Sequence, residues 1–128
     1  MKQLFIMLFA VSIAVGCSKE RDELEARLKT KFANDQDIAD YKIDPDEMAD
    51  CVSSKISGDA PGFPGSPSYE KIIGAYAKLV RVDPTEDFRP ALEATKKAFG
   101  SAKEAHKAAF NITNHTMACI GIIMQVER

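Results

Sequence analysis

Histidine occurs twice in this chain and cysteine three times, and none of the five falls into a spacing that supports a common catalytic or metal chemistry. No G-x-S-x-G presents a serine nucleophile to either histidine. No H-E-x-x-H sets two histidines on one helix face for zinc, and no C-x-x-C or C-x-x-C-H is present for redox, zinc or haem chemistry. The glycines of "GFPGSPS" lack the lysine and the preceding strand of a phosphate loop. A charge excess is missing too: 17 basic side chains face 19 acidic ones, which excludes the strongly basic footprint of a nucleic-acid binder. No apolar run approaches the about 20 residues that cross a bilayer. Strand-like alternation and internal repeats are also absent, so a sheet or a repeat array has nothing to build on.

What the chain does have begins at its start. Lys2 gives a short positive opening, Leu4 to Val15 form an apolar core, and the small residues Ala14 and Gly16 precede a cysteine and the charged stretch "SKERDE". These are the three parts of an export signal, so residues 1–16 are set aside from the fold. An ordinary signal peptidase would accept this site and leave Cys17 a plain thiol.

The stretch Ile13-Ala14-Val15-Gly16-Cys17 also resembles the lipobox of bacterial lipoproteins, with Ala14 where leucine is commonest and Val15 where alanine or serine is. The resemblance covers these first 17 residues and implies that Cys17 is diacylglyceryl-modified, becomes the new N-terminus and is acylated again. Ser18 stands where an aspartate would resemble an inner-membrane retention signal, which favours the periplasmic face of the outer membrane. Two or three acyl chains acting together anchor stably, where one chain holds only marginally.

If Cys17 carries lipid, Cys51 and Cys119 remain as an even pair in a compartment that permits disulfides. A bridge between them would close a loop of more than half the chain; two reduced, buried thiols are the alternative. Residues 17–128 have the size of one small domain. Acidic side chains gather in residues 34–59, and basic ones in residues 89–107.

Helix signals follow one another along the mature chain. Residues 17–34 form a charged N-terminal helix or tether, in which Leu24, Leu28 and Phe32 make a narrow apolar stripe suited to light packing or to a stalk. An acidic connection with room for one helical turn leads to Asp44-Pro45, a cap with proline at the first helical position, and to a helix bearing Met48, Val52 and Ile56 beside Cys51. "GDAPGFPGSPS" can only be a loop. Ser66-Pro67 opens a helix with strong periodicity from Tyr69 to Val80, and "DPTE" at 83–86 repeats the cap ahead of Phe88, Leu92, Thr95 and Phe99. Pro90 demands a stop or a kink inside that start. Ser101 with Glu104 caps a last helix reaching about Gln125, whose end, "MACIGIIMQV", is apolar nearly all round and is therefore expected at the centre of the domain. The fold class expected is all-α: an irregular antiparallel bundle of four or five helices, clipped by one disulfide.

Four features have functional readings beside plainer ones. His115 and Cys119 lie at i,i+4 near Met117 and Met124, a soft donor set that is also ordinary core, so no metal or other cofactor is assigned. The aspartates of 35–50 lack the glycine of a calcium loop and read as caps and solvated surface. Phe63, between glycine and proline in the long loop, is either a partner-binding anchor or a lid folded over the core. Lysines 96–107 form either a lipid-touching face or a solvated one. The function expected is that of a lipid-anchored envelope lipoprotein, non-enzymatic, with another envelope protein as partner, acting as an accessory or assembly factor through an apolar groove. The alternative is a carrier of a small ligand or metal with an enclosed pocket lined by Tyr69, Tyr76 or Met117.

Overall fold

The computed structural model describes residues 18–127, and Cys17 with the whole signal segment lies outside that range. Six helices are present among the described residues and no strand: α1 Lys19–Ala33, α2 Gln36–Asp40, α3 Pro45–Asp59, α4 Pro67–Leu79, α5 Arg89–Phe99 and α6 Ala102–Val126. The all-α class and the bundle are as expected, and the short α2 occupies the acidic connection. No helix among the described residues is long and apolar enough to cross a membrane.

Local chemistry sets most boundaries. The Ser18 hydroxyl accepts the Arg21 N–H at 3.1 Å, and Glu20 and Asp22 in the first turn of α1 favour the positive end of the helix dipole. Asp35 and Asp44 cap α2 and α3, each accepting the N–H two residues on at 2.9 Å. Between those helices the chain reverses through Lys42, a non-glycine residue at φ 56°. There the Ile43 N–H bonds the Ile38 carbonyl and the Lys42 N–H bonds that of Ala39, while Ile38 and Ile43 are both buried. This is a Schellman closure with its apolar contact, and that contact offsets the strain of a lysine in the left-handed region.

The "DPTE" start is corrected. Asp83 accepts from both the N–H and the hydroxyl of Thr85, which makes a turn and not a helix cap. The next helix begins at Arg89, where the Asp87 carboxylate accepts the Arg89 N–H at 3.1 Å and Pro90 lies in the first turn, where its missing N–H costs nothing. Proline thus starts this helix instead of kinking it.

The charged first helix is packed, not a free stalk: Leu24, Leu28 and Phe32 are at most 1% exposed. They meet Met48, Val52 and Ile56 of α3 and Tyr69, Ile73 and Leu79 of α4 in one core. Each such side chain contributes about 1.5–3 kcal/mol by leaving water. Polar contacts fix directions. Arg21, at the start of α1, donates to Ser57 at 3.0 Å and to Ser54 at 3.3 Å near the end of α3, so these two helices are antiparallel. Ser18 bonds Glu70 early in α4, while Arg27 and Lys31 bond the carbonyls of Val80 and Arg81 just past its end, so α1 and α4 are parallel. The one fully buried threonine, Thr95, donates its hydroxyl to the Ala91 carbonyl at 2.8 Å.

Cys51 and Cys119 are joined, with their Cα atoms 6.0 Å apart, and the bond clips α3 to α6 across a separation of 68 residues. Closing a loop of that length restricts the unfolded chain by about 4 kcal/mol in the chain-entropy account. The double variant Cys51→Ser/Cys119→Ser is therefore expected to lose about 4 kcal/mol in urea unfolding, and reducing the wild-type protein should produce a loss of the same size.

Candidate functional site

Two regions of the surface stand apart from the rest, and the last helix carries the larger. Ala105, Ala108, Ile112, Cys119 and Ile123 form its buried row. The opposite face does not sit at the centre of the domain, which overturns the expectation for "MACIGIIMQV". Met117 is 66% exposed, Ile122 45% and Val126 80%, and Phe110, two turns before Met117, is 65% exposed. The bundle has only enough apolar surface to cover one side of this helix.

Outward-facing positions 110, 113, 114, 117, 118, 121, 122, 125 and 126 recur at the three- and four-residue spacing of a single helical face. They are Phe, Thr, Asn, Met, Ala, Gly, Ile, Gln and Val, without one charge. Along the axis this is about 24 Å of uncharged surface. Isolated apolar residues on a surface are normal, whereas several large ones on one uncharged helix face, here Phe110, Met117, Ile122 and Val126, mark a place of interaction. At its start the band borders an open groove of about 300 Å³, walled by Leu79, Phe88 and Phe110 with Lys31 and Arg81 at the rim.

The second region is the end of the bundle where the described chain begins. The Ser18 hydroxyl donates to one oxygen of Glu70, and the other oxygen accepts the Gly65 N–H at 2.9 Å. The Ser18 bond above all holds the Glu70 carboxyl below its usual range; burial opposes this, and the Glu20 side chain and then the Gly65 N–H add smaller pushes downward. Glu20, Glu23 and Lys71 are the charged neighbours around it.

Phe63 is 69% exposed in the same loop, so it does not fold back over the core. Its own backbone is closed by Ser66, whose hydroxyl accepts the Phe63 N–H at 3.1 Å and donates to the Phe63 carbonyl at 2.7 Å. Gly62, at φ 78°, has no room for a side chain, because a Cβ there would lie 2.5 Å from the Ser66 hydroxyl oxygen.

The remaining candidates fall elsewhere. Cys119 spends its sulfur on Cys51, and His115 contacts the Asp59 carboxylate at 2.7 Å, so the soft donor set of α6 is not assembled. Among the described residues no three of His, Cys, Asp and Glu are grouped to hold a metal ion. Tyr69 and Tyr76 lie inside the core, where burial pushes the Tyr76 phenol upward, while Met117 faces outward. These three side chains do not converge on a pocket. Lys96, Lys97, Lys103 and Lys107 are exposed, with Lys107 only 3.9 Å from Glu104. Sequence reasoning missed Glu70 and the outer face of α6; the second was visible as nine uncharged positions at helical spacing.

No protein-family model matches this chain, and no curated protein or solved structure matches it significantly.

Two outcomes are expected from this geometry. Met117→Lys should change unfolding free energy by less than about 0.5 kcal/mol, because its side chain is already in water, whereas Ile123→Ala on the buried side should cost about 2–4 kcal/mol. The Glu70 link should depend on pH with a fixed sign. A carboxyl whose folded pKa is depressed keeps its stabilising bonds in full above the ordinary carboxylate range and loses them as pH falls through the lowered folded value. Protection of the Gly65 amide against hydrogen exchange, corrected for the intrinsic rate, should fall in that acidic window and not before it.

Proposed function

We propose that this protein is a lipid-anchored lipoprotein of the bacterial envelope, on the periplasmic face of the outer membrane, that binds another envelope protein and serves as an accessory or assembly factor without a reaction of its own. The observation that carries this reading is the uncharged outer face of α6. Four large apolar side chains on that face, Phe110, Met117, Ile122 and Val126, stand in water among the neutral Thr113, Asn114 and Gln125, and a partner laid over them would remove that apolar surface from water. The occupant that fits is an amphipathic helix of a partner protein, laid along the band with its apolar stripe on Met117, Ile122 and Val126 and an anchor side chain in the groove beside Phe110. Charged residues on the partner's contacting stripe would be desolvated against a face that offers them no counter-ion, so that stripe is uncharged.

The address rests on residues 13–17 and on Cys17 as the lipid-bearing residue. A disulfide between Cys51 and Cys119 fits the oxidising compartment such a protein would enter.

Each half has its own test. Cys17→Ser should move the protein from the membrane to the soluble fraction, and intact-mass measurement of the wild type should show the added acyl chains; unchanged membrane association would refute the anchor. For the partner, a photo-crosslinking amino acid placed at position 117 in intact cells should yield one discrete adduct, absent when it is placed at Lys103. The adduct should disappear with Ile122→Glu, and the protein found in it should bind the purified domain about tenfold more weakly when Ile122→Glu is present, in line with loss of a buried apolar contact. An adduct of two copies of this chain, or none at all, overturns the partner reading.

A further inference from the structure

We propose that the loop carrying Phe63 is a second point of contact with the bilayer, and that it orients the domain on its anchor. This rests on the reading of Cys17 as the lipid-bearing residue. Chain continuity comes first. Cys17 directly precedes Ser18, so their Cα atoms are about 3.8 Å apart. Ser18 is bonded to Glu70, and the same carboxylate is bonded to Gly65, two residues from Phe63. One side chain therefore ties the residue beside the anchor to the loop, and the loop lies where the acyl chains leave the protein.

Composition comes second. Residues 60–69, "APGFPGSPSY", carry no charge of their own, so seating Phe63 in the headgroup region desolvates no ion of the loop itself, and the nearest carboxylate, Glu70, is held on the side of Gly65. The third point is rigidity. Phe63 is held out by the Ser66 bonds and the left-handed Gly62 and Gly65, at φ 78° and 94°, and it has no packing of its own. An exposed phenyl group on a stiff support, a few residues from a hydrocarbon phase, has that phase as its nearest place of burial. Two or three acyl chains already retain the protein, so the phenyl group adds little retention. It removes swivel. A body attached at one point turns about its tether, and a second point of attachment fixes its tilt.

The chain contains no tryptophan, so Phe63→Trp supplies a single indole that can be excited apart from the three tyrosines. In protein produced from residue 17 onward, without the signal segment, Cys51 and Cys119 are bonded to each other, which leaves the thiol of Cys17 for coupling. That thiol can be coupled to a maleimide phospholipid and the protein placed on phosphatidylethanolamine–phosphatidylglycerol vesicles with brominated acyl chains. The control is Tyr41→Trp, an exposed site beyond the far end of α1, about 22 Å along the helix from Ser18. The residue at position 63 is expected to shift its emission to the blue and to be quenched about threefold more than the one at 41, as for aromatic side chains seated in a membrane interface. Equal quenching at the two sites, or none at either, overturns the proposal and leaves Phe63 to a protein partner. Because the lipid is attached chemically, this result does not depend on lipidation in the cell. The mass of Cys17 in protein extracted from cells tests that reading separately.

Discussion

The shape of this protein follows from a shortage: α6, 25 residues long, presents more apolar surface than its neighbours can cover. In its first half the helix packs through Ala105, Ala108 and Ile112, small and branched side chains that let it sit close to the bundle. Past Ile112 the inward row weakens, because the next positions on that side are His115 and Thr116, both only half-buried. The His115 contact with Asp59 and then the covalent bond at Cys119 take over where packing fades. An isolated helical segment of this length is marginal in water. The bridge therefore does more than restrict the unfolded chain; it holds the second half of α6 against α3, so that the outer face is displayed on a fixed helix.

The opposite situation holds at α1. Its mean composition is strongly polar, and three side chains, Leu24, Leu28 and Phe32, supply its whole buried stripe. Such a narrow stripe fixes which side faces inward but leaves sliding and tilting weakly opposed. Polar contacts at the two ends close those freedoms: Arg21 against Ser54 and Ser57 at the start, Arg27 and Lys31 against the carbonyls after α4 at the finish. Hydrogen bonds of this kind, exposed or part-buried, contribute about 0.5–1.5 kcal/mol each. Their value here is directional, since they set the register of a helix whose apolar side is too thin to set it alone.

Much of the bundle was legible from local chemistry. The proline-bearing starts at Pro45 and Pro67 and the stripes of α1, α3 and α4 are all decided within a turn or two of chain, and the structure has them. Asp83 was misread because an aspartate followed by proline serves a turn as well as a cap, and only the position of the later Asp87-Arg89 pair decides between them. Lys42 gave no signal, since a left-handed residue is announced by glycine or asparagine and here a buried Ile38–Ile43 contact pays for its absence. The candidate sites were harder. Cys51 and Cys119 could be paired by counting, but the face of α6 depends on how much core the other five helices provide, a sum over the whole chain. Apolar on all sides was a correct description of that segment; buried on all sides did not follow.

On the proposed reading, the three cysteines share one dependence on compartment. Lipid is added to Cys17 at the membrane, and the bridge from Cys51 to Cys119 forms only where thiols are oxidised. Before export the second half of α6 would be held by Ile112 and Ile123 with little between them, and its apolar outer face would fray together with its inner one. After export the same chain is tethered at one end and clipped at α6. Since α1 runs antiparallel to α3, and α3 holds α6 at two points, Asp59 to His115 and Cys51 to Cys119, α6 runs antiparallel to α3 and its direction is fixed relative to the residue that bears the anchor. A binding face completed by oxidation and oriented by the membrane is available to a partner only where both conditions hold, which restricts the encounter to the envelope without any further recognition signal.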